Sequence, residues 1–229
     1  MLRILSWNIR QGGGTRINKI LNKVTESESD IIIISEFRNG RTGQVFRSSL
    51  LKHGYRFQNV SAALPSDNSV AIFSKIPCQQ LIYKDACPFF PHNIVCSVYD
   101  AFRIYGVYMP HKKKHKLFEF LTKESKQHEN LIIAGDYNSG KNYIDQKGNS
   151  FWYTEQLTQL EERGMEDAFR LKHGDIAEYS WFSHKGNGFR YDHIYMNKVL
   201  TPVLSDCYYE HSWREKGLSD HSPMFLELA

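Results

Sequence analysis

Asp30-Ile31-Ile32-Ile33-Ile34-Ser35-Glu36 is the stretch that decides how this chain folds. Four consecutive β-branched residues without alternation describe a strand covered on both faces. The strand ends at Ser35-Glu36, where the chain turns polar. Upstream, Leu2 to Trp7 is another short β run, and between the two Arg16 to Thr25 puts Ile17, Ile20, Leu21 and Val24 on one helical face. Downstream, the same signals predict strands at Arg56 to Val60, Val70 to Ser74, Ile94 to Tyr99, Phe102 to Tyr108, Leu131 to Ala134, Tyr191 to Met196 and Met224 to Leu228. Helices are expected at Gln44 to Lys52, Lys114 to Lys126 and Trp152 to Arg163. Many strands with few helices between them imply a layered α/β architecture, sheets packed on each other and covered by helices. A doubly wound sheet would need more helices.

The 229 residues are 41% hydrophobic and 24% charged, with a formal net charge of +4. No repeat, low-complexity tract or Pro/Gly/Ser-rich linker interrupts them, so one domain over residues 1–229 is expected. A chain of this size buries about 70% of its unfolded surface and needs no disulfide scaffold. Cys78, Cys87, Cys96 and Cys207 lack CxxC spacing and read as buried free thiols, which suits a reducing, cytoplasmic compartment. The Ile31 to Ile34 run is far short of the about 18 residues of a membrane span. The opening Met1 to Asn8 is too short for a secretory apolar segment. A net charge this small names no polyanionic partner; where the charges lie matters more.

Polar residues recur where the expected strands end. Trp7-Asn8 closes the first, Glu36 the second, Gly135-Asp136-Tyr137-Asn138 follows Leu131 to Ala134, Asp192-His193 lies in a late strand and Ser219-Asp220-His221 precedes the last. Each alone is better explained as a turn former, a solvated acid or a core histidine. Together they supply a phosphoester-cleaving set. Glu36, Asp220 and the Asn8 amide are hard oxygen ligands for Mg²⁺, with Mn²⁺ as a substitute. Asp136 would activate a water, Asn138 would donate to a phosphoryl oxygen, and Asp192 would fix the tautomer and charge of His221.

These segments resemble, in order and from Ile4 to Pro223, the motifs of the endonuclease/exonuclease/phosphatase superfamily, and most of all its exonuclease III and abasic-site endonuclease branch. Ser6-Trp7-Asn8 and Ser35-Glu36 are similar to the first two motifs, which implies metal roles for Asn8 and Glu36. Tyr105-Gly106-Val107-Tyr108-Met109-Pro110 resembles the motif whose tyrosine, here Tyr108, contacts the scissile phosphate. Gly135-Asp136-Tyr137-Asn138 resembles GDxN, Gly188-Phe189-Arg190-Tyr191-Asp192 the Gly-Trp-Arg-x-Asp segment, and Leu218-Ser219-Asp220-His221-Ser222-Pro223 the closing Ser-Asp-His motif. The resemblance implies a four-layered sandwich of two packed mixed β-sheets flanked by helices. It also implies an Asp192–His221 pair beside the metal, and an aromatic pocket at Trp181, Phe189 and Tyr191. The chain departs from the pattern at Arg10, where many abasic-site enzymes carry an acid or amide, and it has little length for DNA-inserting loops.

Basic residues follow the motifs: Arg10, Arg38 and Arg41, Lys112, Lys113, Lys114 and Lys116, Lys141 and Arg190. Gathered at one rim, such cations would bind flanking phosphates and give salt-sensitive affinity for a nucleic acid backbone, DNA in the first place, with no membrane and no obligate protein partner. Gly135 to Lys141 also fits GxxxxGK, but Asn142 stands where a P-loop needs Ser or Thr, and Asp136 and Tyr137 crowd the cradle. Gly12-Gly13-Gly14 reads as a flexible loop beside the first motif. The expected activity is Mg²⁺-dependent hydrolysis of the DNA backbone by in-line attack of water, at abasic sites or 3′ ends. The alternatives are a phospholipid or phosphoinositide hydrolase of the same superfamily and a non-catalytic nucleic-acid-binding module.

Overall fold

The computed structural model describes residues 1–83 and 90–229, so the reading of Cys87 lies outside the described residues. The chain runs β1 (Leu2–Asn8), α1 (Ile17–Glu26), β2 (Ile31–Phe37), α2 (Arg41–Lys52), β3 (Phe57–Val60), β4 (Ser69–Ser74), β5 (Gln79–Ile82), β6 (Ile94–Val98) and β7 (Arg103–Tyr108). It continues through α3 (His115–Gln127), β8 (Leu131–Asp136), α4 (Thr154–Glu162), β9 (Met165–Asp167), α5 (Ala168–His173) and the short pair β10 (Trp181–Phe182) and β11 (Gly188–Phe189). It closes with β12 (Asp192–Asn197), β13 (Leu204–Tyr209), α6 (His211–Glu215) and β14 (Met224–Leu228).

Two six-stranded sheets, ordered β13-β14-β1-β2-β4-β3 and β5-β6-β7-β8-β12-β9, form the centre. Both are mixed: β1–β2 and β7–β8 are parallel and the other neighbours antiparallel. The period of two along β2 sends Ile31 and Ile33 between the sheets, against Val95, Ile104 and Ile132, and Ile32 and Ile34 outward onto Ile20, Val24, Phe46 and Leu50 of α1 and α2. On the other outer face, Tyr105 and Ile133 pack on Leu117, Phe118 and Leu121 of α3 and Leu157 and Leu160 of α4. The result is helices, sheet, sheet, helices. Between the sheets Gly106 leaves no room for a side chain, since a Cβ there would lie 3.0 Å from Ile72 and 3.1 Å from Ile33.

All nine expected strands and all four helices form, with ends shifted by a few residues. The additional elements lack a strong apolar pattern: β5 is an exposed polar edge, β9 has three residues, and α5 and α6 are too short for periodicity to register. The expected helix at Trp152 starts only at Thr154, because Tyr153 takes a left-handed φ of 68°. Gly12-Gly13-Gly14 forms a tight left-handed turn with Gly12 and Gly13 buried, in place of the expected flexible loop. Cys78, Cys96 and Cys207 are free thiols, the last two buried. Among the described residues no helix is long and apolar enough to cross a membrane.

Candidate active site

The carboxyl ends of parallel strands β1, β2, β7 and β8 and the amino ends of antiparallel β12 and β14 meet at one edge of the sandwich. Register places the side chains: Tyr108 pairs with Asp136 across β7–β8, and Asp136 with Asp192 across β8–β12. Gly135 is required before Asp136, since its φ is 150° and a Cβ would sit 1.9 Å from the Val107 carbonyl oxygen. Glu36 lies in a bulge of β2 with a φ of 53°, a conformation costing about 1 kcal/mol that re-aims its carboxylate. Asn138 also has a positive φ, which its amide tolerates.

Asp136 is buried and accepts from Asn8 Nδ2 at 2.8 Å, from the Asn138 backbone N–H at 2.8 Å and from Asn138 Nδ2 at 3.2 Å. Asn8 Nδ2 also donates to Glu36 at 3.1 Å, so one amide bridges both carboxylates, while its oxygen accepts from the Arg10 N–H at 2.8 Å. In this arrangement Asn8 presents a donor to the acids rather than the oxygen ligand expected of it. Glu36 is further held by the Gln11 N–H at 2.7 Å and by Asn68 Nδ2 at 3.0 Å. The Tyr108 hydroxyl faces Glu36 and Asn68, and burial followed by the charges of Glu36 and Asp136 raises its pKa.

Asp192 Oδ2 and His221 Nδ1 are 2.8 Å apart, both buried. The Ser180 hydroxyl accepts the Asp192 N–H, and Tyr209 donates to the Asp192 carbonyl. Burial pulls the His221 pKa down, but Asp192 and Asp136 more than offset it and push it up to about 10. His221 is therefore an imidazolium at neutral pH. Burial, together with Asp192 and against His221, raises the Asp136 carboxyl well above the usual range. A raised histidine pKa adds stability that is complete below about pH 6.5 and lost as pH rises through about 10. Melts between neutral pH and pH above about 10 should show wild type losing its advantage over His221→Gln.

Asp220 is partly exposed, accepts from Trp181 Nε1 at 3.3 Å and lies 3.8 Å from Arg10 Nε. Glu36, Asp136, Asp192 and Asp220 outnumber the cations His221, Arg10 and Arg16 around them. Oxygen donors with surplus negative charge fit a hard divalent cation. Glu36 and Asp220, open to the rim, leave room for the waters and substrate oxygens that Mg²⁺ retains. Asp136, Asp192 and His221 also offer ligand atoms within 4.8 Å of one another, but the imidazole Nδ1 is taken by Asp192.

A model of the Endonuclease/Exonuclease/phosphatase family matches residues 5–221. The chain belongs to the Endonuclease/Exonuclease/phosphatase family. No curated protein sequence matches it. Three solved structures share the fold of this family member over nearly all of both chains. The Neisseria 3′ phosphatase NExo bound to product DNA hairpin has a TM-score of 0.86 at 22% identity, each chain covered by 100%. The 3′-5′ exonuclease NExo from Neisseria meningitidis gives 0.85 at 23% identity with 99% of each chain covered. An AP endonuclease from Archaeoglobus fulgidus gives 0.84 at 20% identity, covering 100% of this chain and 99% of that one.

Not every cation expected at the rim of this family member reaches it. Arg190 is buried, its Nε 2.6 Å from Asp145 and its other nitrogens on Asp167, so it is a structural ion-network residue. Lys114 is also buried, donating to the carbonyls of Tyr137 at 2.6 Å and Asn138 at 2.8 Å; it braces the Asp136 loop from beneath. Burial lowers its pKa to about 7. Lys141 pairs with Glu161 at 2.6 Å, and its N–H is held by Asp145, which leaves the GxxxxGK segment without a phosphate cradle. Lys116 pairs with Glu119. Arg10 beside Asp220 and Lys112 beside Asn138 are exposed at the site, Lys113 is exposed next to Lys112 in the chain, and Arg38 reaches Glu36 through Asn68. Trp181, Phe189 and Tyr191 do cluster, with centroids 5.4 to 5.8 Å apart, but Phe151 packs on two of them and extends the cluster toward Trp152 and His111. Asn68, Phe151 and Trp152 escaped the sequence reading because they lie in loops without a motif; His111, next after Pro110, was the one within reach.

Proposed function

We propose that residues 1–229 form one catalytic unit, a Mg²⁺-dependent phosphodiesterase that hydrolyses the DNA backbone, at abasic sites or 3′ ends, with Mn²⁺ able to substitute. The observation that carries this reading is the Asp136–Asn138 loop facing the buried Asp192–His221 pair at one sheet edge beside Glu36. The DNA-processing neighbours support DNA as the substrate and the exonuclease III branch as the setting.

Asp136, a carboxylate of raised basicity, takes a proton from the attacking water as its oxygen bonds to phosphorus and the opposite P–O bond breaks. His221 is held by Asp192 through Nδ1, leaving Nε2–H for a phosphoryl oxygen, where its positive charge stabilises the charge that develops. The Tyr108 hydroxyl donates to the same group, and Asn138 Nδ2, held by the Met109 carbonyl at 2.9 Å, joins it by giving up its 3.2 Å contact with Asp136. Glu36 and Asp220 would hold the metal, with Asn8 bridging Glu36 and Asp136 beside it, and the metal would supply Lewis-acid polarisation of the phosphoryl and leaving oxygens. Free thiols at Cys78, Cys96 and Cys207 suit a cytoplasmic setting.

Lys112 and Lys113 supply affinity through flanking phosphates. Replacing both with Gln should weaken DNA binding and reduce the slope of log K against log salt by about 2. An unchanged slope in a filter-binding titration would make them a solvated face.

The experiment for the function itself is a gel assay in Mg²⁺ or EDTA on plasmid, single strands, RNA, and duplexes with and without one abasic site. Cleavage that requires metal supports the reading, and the preferred substrate places the protein among its relatives. Intact nucleic acid together with hydrolysis of sphingomyelin or inositol lipids would overturn it.

A further inference from the structure

Beside Asn138 lies a cavity of about 340 Å³ whose walls include His111, Lys112, Phe151, Trp152 and Tyr191. Its outer wall, Trp152, is 58% exposed, an unusual position for the largest apolar side chain. The wall is nevertheless fixed. The Trp152 carbonyl accepts from Ser139 next to the catalytic loop, and the Phe151 N–H donates to Asn142 at 3.0 Å. The Lys112 ammonium stands 4.7 Å from the centre of the Trp152 ring, and Phe151 meets Tyr191 edge-on at 5.7 Å.

We propose that Trp152, with Lys112 beside it, is a stacking site for an unpaired nucleobase of the nucleotide adjoining the phosphate at Asn138. The inference rests on the nuclease reading and deepens it by assigning the form of the substrate, a single-stranded or frayed end. Aromatic walls around an open cavity accept the π-face of any base, and a base offers that face only when it leaves the duplex stack. Lys112 adds a cation within reach of the neighbouring phosphate, the pairing of ring and charge that single-strand sites use. The same ammonium repels a quaternary-ammonium headgroup, so the aromatic wall does not suit a choline lipid.

The test uses Asp136→Asn protein with Mg²⁺, so that ligand survives, and two probes: a short single-stranded deoxyadenylate oligomer and a baseless deoxyribose-phosphate backbone of the same length. Trp152→Ala in this background should weaken binding of the base-bearing oligomer about 10-fold and leave the baseless one unchanged. Trp152→Phe should restore most of the loss. The base-bearing oligomer alone should quench tryptophan fluorescence, and the quenching lost in Trp152→Ala is the stacking signal. Because the Trp152 side chain is exposed, the fold is not at risk. Equal loss for both oligomers, or none for either, overturns the stacking site; if wild type still cleaves DNA, the nuclease reading survives. Failure to bind either oligomer, with DNA left intact by wild type, removes both.

Discussion

Asp136→Asn should lower DNA cleavage by at least about 10³-fold while leaving the melting temperature no lower than that of wild type. The two halves of that expectation have one cause. Asp136 is buried opposite Asp192, and the energy that raises its pKa is a penalty on the ionised folded state at neutral pH. A neutral amide removes the penalty and with it the proton acceptor. The amide oxygen still accepts from the Asn138 N–H, and the relieved charge penalty offsets the bonds from Asn8 Nδ2 and Asn138 Nδ2 that the second carboxylate oxygen accepted. A loss of activity with unchanged or increased stability marks a group kept for chemistry against its own folding cost. His221→Ala should be equally inactive but less stable, because it leaves the Asp192 carboxylate buried and unpaired. Turnover near wild type in either variant would remove these residues from the mechanism.

Arg190→Met should cost about 3–5 kcal/mol in urea unfolding, the range for breaking a buried ion network by removing one partner. Burial alone would push the Asp145 and Asp167 carboxyls up, yet Arg190, assisted by His193, holds both below the usual carboxylate range. The stability this gives is complete above the unfolded carboxylate pKa of about 4 and is lost as pH falls through the lower folded values. Arg170 reaches Asp145 as well, at 2.5 Å. Arg190→Lys should recover little, because an ammonium cannot match the forked contact with Asp167. The network also has a place in the site: the Arg190 N–H donates to the Asp145 carbonyl at 2.9 Å, fixing the segment that carries Tyr191 and Asp192. A loss below about 1 kcal/mol would contradict this role.

Arg190 also shows where sequence stops being informative. Its place before Tyr191-Asp192 and its charge made it a phosphate contact, while its burial depends on Asp145 and Asp167, which are remote in sequence. Lys114 was misplaced for the same reason: a run of lysines carries no signal about which one turns inward beneath the Asp136 loop. By contrast, Ile31 to Ile34 announced the buried strand through residue type alone, and the strand-end polar groups were legible because register carries Asp136, Asp192 and Tyr108 to a common edge. The bridging amide of Asn8 and the relay through Asn68 needed coordinates, since hydrogen-bond direction leaves no mark in sequence.

The central claim is that water, activated at Asp136, attacks a DNA phosphorus. Digestion of DNA in ¹⁸O-water with Mg²⁺, followed by mass spectrometry of the released ends, tests it directly. The expected result is one labelled oxygen in each new phosphate terminus, absent with EDTA and in Asp136→Asn. Labelled cleavage that persists in Asp136→Asn, or DNA that stays intact in wild-type protein with Mg²⁺ bound, would contradict it.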